Sequence, residues 1–154
     1  MDVQALYIYL KRAIDDGKTV TLIKRTIGIY ATGYDLNIII KFDDETIANN
    51  VYKWKEWNIY QIADRFDKLK KAIYKTLYKQ ALKLLSEKLG FKSIDELERK
   101  VELFHDSYDN PVAMLEDWKM YKAEFCKYDL QFFVGEDIET YIFHKPEIKE
   151  VKDC

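Results

Sequence analysis

A mixed α+β fold is the architecture this sequence predicts, on three observations. Residues 58–89 carry a long amphipathic repeat with helical spacing, and residues 34–42 alternate apolar and polar side chains with the period of a strand. A second strand-like pair, at 128–134 and 139–144, lies near the C-terminus. The predicted order is an N-terminal helix, an antiparallel β-hairpin or meander, a long central helix, two shorter helices and a C-terminal β-hairpin. A length of 154 residues with 48% hydrophobic content supports one compact domain over 1–154. Within it, 1–57 form helix plus sheet, 58–127 the helical part, 128–145 the hairpin and 146–154 a polar tail. Five glycines and two prolines, with no Ser- or Pro-rich stretch, predict no disordered linker.

Asp2 can cap a first helix whose buried stripe is Val3, Leu6, Leu10 and Ile14, ending near Asp16 with Gly17 just beyond. Thr19 to Arg25 and Ile27 to Thr32 are rich in β-branched residues, and read as either one bent strand or two short ones. Gly33 turns the chain into a strand from Tyr34 to Phe42, where Leu36, Ile38, Ile40 and Phe42 share one face; Asp43–Asp44 turn it out again. Val51, Tyr52, Trp54 and Trp57 then crowd a short span. They read as a wedge between sheet and helix or, at Trp54 and Trp57, as an exposed aromatic anchor for a partner.

The long helix has signals at both ends. Asn58 and Gln61 form a capping box and Trp57 can staple onto Ile62; Gly90 supplies the left-handed stop, with Phe91 folding back toward Leu85. Ile62, Phe66, Leu69, Ile73, Leu77 and Leu84 make the core stripe, and Leu82, Leu85 and Leu89 predict that the last turns are covered nearly all round. On the opposite side Lys68, Lys71, Lys75, Lys79 and Lys83 recur as a cationic ridge flanked by Tyr74 and Tyr78. Cations with neighbouring aromatic faces suit the phosphates and bases of a nucleic acid. Lysine is also the ordinary solvated residue of an amphipathic helix, and the tyrosines can equally pack under a neighbouring element.

Ser93 and Glu96 make a second capping box, opening a helix through Ile94, Leu97, Val101 and Phe104 to about Asp106. Asn110–Pro111 read as cap and first residue of a third helix with Met114, Trp118, Tyr121 and Phe125 on its stripe. The hairpin turns through Gly135–Glu136–Asp137, and Lys145–Pro146 begin the tail.

The net charge of −2 hides an asymmetry: residues 1–90 hold 16 Lys and Arg against 11 Asp and Glu, whereas 91–154 hold 9 against 16. Two cysteines, Cys126 and Cys154, form no spaced motif, which fits a reducing compartment. No signal-peptide pattern and no long uncharged apolar run is present, so a soluble cytoplasmic protein without membrane association is expected. Twenty-one lysines against four arginines, with many Ile, Tyr and Asn, match the coding bias of AT-rich genomes, shared by low-GC bacteria and their phages.

The sequence holds no phosphate-binding glycine loop, paired-cysteine metal motif, His-Glu-x-x-His or nucleophile elbow. No cofactor, no metal site and no catalytic residue is expected. His105 and Asp106, with Asp109, Cys126 and His144, are the groups from which an acid–base or metal site would have to be assembled, and their spacing matches no known pattern. Asp35 with Lys41 lacks the tight acid-x-lysine spacing of a nuclease strand. Glu136, Asp137 and Glu139 form an acidic hairpin tip able to offer carboxylates where a partner would otherwise hold phosphates.

The expected function is therefore that of a non-enzymatic binding protein acting by occupying a surface of another macromolecule. A phage- or mobile-element-type inhibitor of a host nucleoprotein complex is its specific form, and a protein or nucleoprotein complex its partner. The alternative is a nucleic-acid-binding accessory protein using the Lys68–Lys83 ridge with Tyr74 and Tyr78. A third reading is a metal-dependent hydrolase or nuclease built on His105, Asp106 and neighbouring acids.

Overall fold

The computed structural model describes residues 3–29, 33–42, 45–49 and 59–151. Helix and strand are mixed, as an α+β fold requires. The elements run α1 (Val3–Asp15), β1 (Val20–Ile29), β2 (Gly33–Phe42), β3 (Glu45–Asn49), α2 (Ile59–Lys88), α3 (Ile94–Lys100), β4 (Glu102–His105), β5 (Pro111–Met114), β6 (Met120–Phe133) and β7 (Glu136–Val151). They form two compact units, one comprising Met1–Ile73 with Lys127–His144, the other Tyr74–Cys126 with Lys145–Cys154.

In the first unit the strand order is β3-β2-β1-β7-β6. β1 is one continuous strand, paired antiparallel to β2 from Val20↔Phe42 to Ile29↔Gly33 and to β7 from Val20↔Phe143 to Ile27↔Glu136. β2 pairs antiparallel with β3 through a register shift at Ile40/Lys41. The core takes Leu6, Leu10 and Ile14 from α1, Val20 and Leu22 from β1, Phe66, Leu69 and Ile73 from α2 and Phe143 from β7, all buried. Each such side chain withdrawn from water contributes about 1.5–3 kcal/mol. α1 stops at Gly17, whose φ of 91° lets Gly17 N donate to Ile14 O at 2.9 Å and Lys18 N to Ala13 O at 3.0 Å.

In the second unit the order is β7-β6-β5-β4. β4 pairs antiparallel with β5, and β5 with β6 from Val112↔Lys122 to Met114↔Met120. Leu77, Ala81, Leu82 and Leu85 of α2 are buried with Leu97, Val112, Ala113, Ala123, Phe125 and Cys126. Leu84 is half-buried rather than core. α2 ends as its sequence predicts: Gly90 has φ 79°, Phe91 N donates to Ser86 O at 2.8 Å and Gly90 N to Glu87 O at 3.3 Å. Its start signals, Trp57 and Asn58, lie outside the described residues, as do Trp54 and the rest of 50–58.

Three expectations are corrected. The helix after Ser93 ends at Lys100, where Val101 turns extended (φ −128°, ψ 158°), so Phe104 and His105 lie on a strand and not on a helical stripe. The third helix does not exist: Pro111–Met114 and Met120–Phe133 are strands, so 58–127 is not a helical part. Met114, Trp118, Tyr121 and Phe125 happen to fall at helical intervals, but Leu115 N donates to Lys119 O at 2.8 Å and Trp118 N to Leu115 O at 3.0 Å, closing a hairpin loop between two of them. Finally, the C-terminal hairpin is β6 and β7, joined directly at Val134–Gly135, and 146–151 is strand rather than polar tail. Pro146 is tolerated because the β1 register stops at Phe143, leaving β7 without a β1 partner at the proline.

Candidate functional site

The acidic hairpin is held by its own chain. Arg25 ion-pairs with Glu136, and Lys24 donates to Glu139 at 2.8 Å from neighbouring positions on β1. Burial alone would push the Glu139 carboxyl up, but the Lys24 hydrogen bond, that of Tyr141 at 2.8 Å and the Lys24 and Lys70 charges hold it below its ordinary value. Two of the three acids expected to meet a partner thus pair β7 with β1, and Asp137 is the one left exposed.

The hairpin presents something else. Phe132 is 72% exposed, Phe133 58% and Val134 95%, with Leu130 also exposed. Three consecutive apolar residues beside Gly135 cannot all turn to one face of a strand, since neighbours alternate sides. The contact residues expected at this tip from the sequence are acids alone; the signal passed over is three consecutive apolar residues directly before Gly135. Asp129 on β6 and Asp137 on β7 are exposed beside it.

Of the lysine ridge, Lys68 is exposed and ion-paired to Asp64 at 2.9 Å, and Lys71 is exposed, both in the first unit. Lys75, Lys79 and Lys83 are exposed in the second unit, where with Thr76, Gln80 and Ile94 they line an open groove of about 460 Å³.

Tyr74 and Tyr78 do not accompany them as free faces. Tyr74 is half-buried, its ring 5.5 Å from that of Phe125 and 5.7 Å from that of Tyr78, and its hydroxyl donates to Asp109 O at 2.8 Å. Tyr78 lies 5.7 Å from the His105 ring, and its hydroxyl shares a 3.1 Å hydrogen bond with His105 Nε2. Burial, then the nearby Asp109 carboxylate, push the Tyr74 phenol up to about 12.

An alkaline test follows from that shift. The unfolded chain releases this proton near pH 10 and the folded chain only near 12, so stability falls as pH rises between the two. Tyr74→Phe is expected to lose about 1 kcal/mol with its hydrogen bond at neutral pH. It should also lose part of the alkaline slope, measured as urea midpoints at pH 8, 10 and 11.

Asp106 anchors the turn that follows His105. Asp106 accepts from Tyr108 N and Asn110 N, each at 2.9 Å, and from Asn110 Nδ2 at 3.2 Å, with Lys122 Nζ at 3.5 Å. Burial pushes its carboxyl up, but these bonds and the lysine more than offset it and hold it below its ordinary value. Asn110, fully buried, donates from Nδ2 to Cys126 O at 2.8 Å and accepts at Oδ1 from Phe125 N and Cys126 N, both at 3.0 Å. Asn110, a helix-cap candidate by sequence, instead ties the turn to β6. Nearly buried Glu124 is met by Lys149 at 3.0 Å and Lys122 at 3.3 Å. Among the described residues no three His, Cys, Asp or Glu side chains are grouped to hold a metal ion, and no helix is long and apolar enough to cross a membrane.

No protein-family model, curated protein or solved structure matches this chain.

Proposed function

We propose that the protein is a non-enzymatic binding protein that works by occupying a surface of another macromolecule, and that it does so with the tip of the β6–β7 hairpin. The observation that carries this reading is the exposed run Phe132-Phe133-Val134. Because neighbours alternate sides, the tip exposes apolar side chains on both faces of the hairpin, which is unfavourable in water and marks a contact site in a stable protein. Asp129 and Asp137, near them in sequence, define the partner's chemistry: a protein cleft whose apolar walls take both faces of the tip and whose rim is basic. Basic rims are common on proteins that handle nucleic acid, which favours a nucleoprotein complex as target. An inhibitor carried by a phage or mobile element is the specific form of this proposal, and the AT-rich coding bias agrees with it.

The test is capture from the lysate of a low-GC bacterium on immobilised full-length protein, with and without nuclease. A discrete protein that survives nuclease is expected, and Phe132→Ser with Phe133→Ser should weaken its capture at least ~30-fold, the effect of losing a buried aromatic anchor worth about 2 kcal/mol. Equal capture by the double variant, with an unchanged circular dichroism melt, would remove the hairpin from the function.

A further inference from the structure

We propose that Lys75, Lys79 and Lys83 form a docking face for the phosphate backbone of duplex nucleic acid, read without base stacking and therefore without sequence preference. The face lies in the second unit, whereas the hairpin tip belongs to the first.

Three observations carry it. Successive lysines stand four residues apart on one helix, about 6 Å of rise. They form a line of charge with a step comparable to the separation of phosphates along one strand. All three are exposed, and among the described residues none is held in an ion pair, unlike Lys68 with Asp64, Lys24 with Glu139 or Lys122 with Asp106. The line borders an open groove whose remaining lining is Thr76, Gln80 and Ile94, with no carboxylate among its residues to repel an anion.

The shape of the charge selects among anions. Glu87 follows Lys83 by one helical step and is exposed, and Asp95 and Glu98 are exposed on α3, the helix that contributes Ile94 to the groove. A flat anionic bilayer would bring headgroups against these acids as well as the lysines, whereas a single phosphodiester strand can follow the row. Duplex is favoured over single strand because the two tyrosines that could stack on bases are already engaged, Tyr74 with Phe125 and Tyr78 with His105. What remains is charge, and the duplex carries more of it per unit length.

The experiment is fluorescence anisotropy of a labelled 20-base-pair DNA duplex with the full chain across a series of salt concentrations. Three phosphates neutralised predict a log–log slope of about −2.7 and an affinity loss of about 40-fold between 50 and 200 mM salt. Duplexes of different sequence should bind alike. Lys79→Gln should reduce the slope to about −1.8, and the triple variant Lys75→Glu, Lys79→Glu, Lys83→Glu should abolish binding with its circular dichroism melt unchanged. A slope near zero, or undiminished binding by Lys79→Gln and the triple variant, overturns the proposal. So does binding to phosphatidylserine–phosphatidylcholine vesicles with none to the duplex. The hairpin variants should leave duplex affinity unchanged, so this face and the protein-binding tip fail separately.

Discussion

Replacing Asn110 with alanine is expected to destabilise the protein by about 3–5 kcal/mol, although a surface reading of the turn would predict little. The side chain is fully buried and uses both ends: Oδ1 accepts from Phe125 N and Cys126 N, while Nδ2 donates to Cys126 O and to the Asp106 carboxylate. Alanine removes all of these hydrogen bonds at once, and with them the tie between the turn and the Phe125–Cys126 backbone of β6. A buried polar group left without a partner costs roughly 1–3 kcal/mol, and water entering the space lowers the total. The loss should appear as a lower urea midpoint at unchanged slope.

Asn110→Asp separates shape from chemistry. It keeps the volume but turns the donor facing Cys126 O into an acceptor, beside Asp106. At pH 7 it should be at least as unstable as the alanine variant. Its neutral form restores a donor, so part of the stability should return on acidification through the raised pKa of the new carboxyl. If Asn110→Ala costs under about 1 kcal/mol, the turn is not tied to β6 as the hydrogen bonds imply.

The sequence was most legible where local chemistry and tertiary packing agree. α1 and the end of α2 close on Gly17 and Gly90 with the hydrogen bonds their C-terminal glycines predict, and Leu6, Leu10, Ile14, Phe66, Leu69, Ile73 and Leu77 are buried on the stripes their spacing defines. Reading failed from Val101 to Cys126. The β5–β6 turn contains neither glycine nor asparagine and places Trp118 at φ 66°, a conformation its side chain does not favour, so its one turn residue, Asp117, which accepts from Lys119 N at 3.2 Å, was a weak signal against the helical spacing around it. Residues 123–126 are all buried, so β6 shows no alternation there to distinguish it from a helix.

The site was half legible for a related reason. The exposed lysines follow from helical spacing, a local property. The ion pairs that engage Glu136 and Glu139, and the rings that engage Tyr74 and Tyr78, come from residues distant in sequence. An acidic cluster read alone looks available to a partner; only the β1–β7 register shows that Arg25 and Lys24 lie across from it.

Phe125→Ala is expected to cost a further class of energy, about 3–5 kcal/mol from a cavity rather than from lost hydrogen bonds. Phe125 is fully buried, and its backbone N–H still reaches Asn110 after substitution, so the polar tie survives while the ring is lost. Phe125→Leu, which keeps most of the volume, should cost about 1–1.5 kcal/mol. A second readout ties this core position to the helix surface. The Phe125 ring packs 5.5 Å from that of Tyr74, whose phenol is held up to about 12 chiefly by burial. Removing the ring admits water to Tyr74 and should bring its ionisation down toward 10, measured by phenolate absorbance against a Tyr74→Phe control. If stability falls while this ionisation stays near 12, another neighbour buries Tyr74. If both move together, the packing that removes Tyr74 from base stacking is the packing that holds the second unit together.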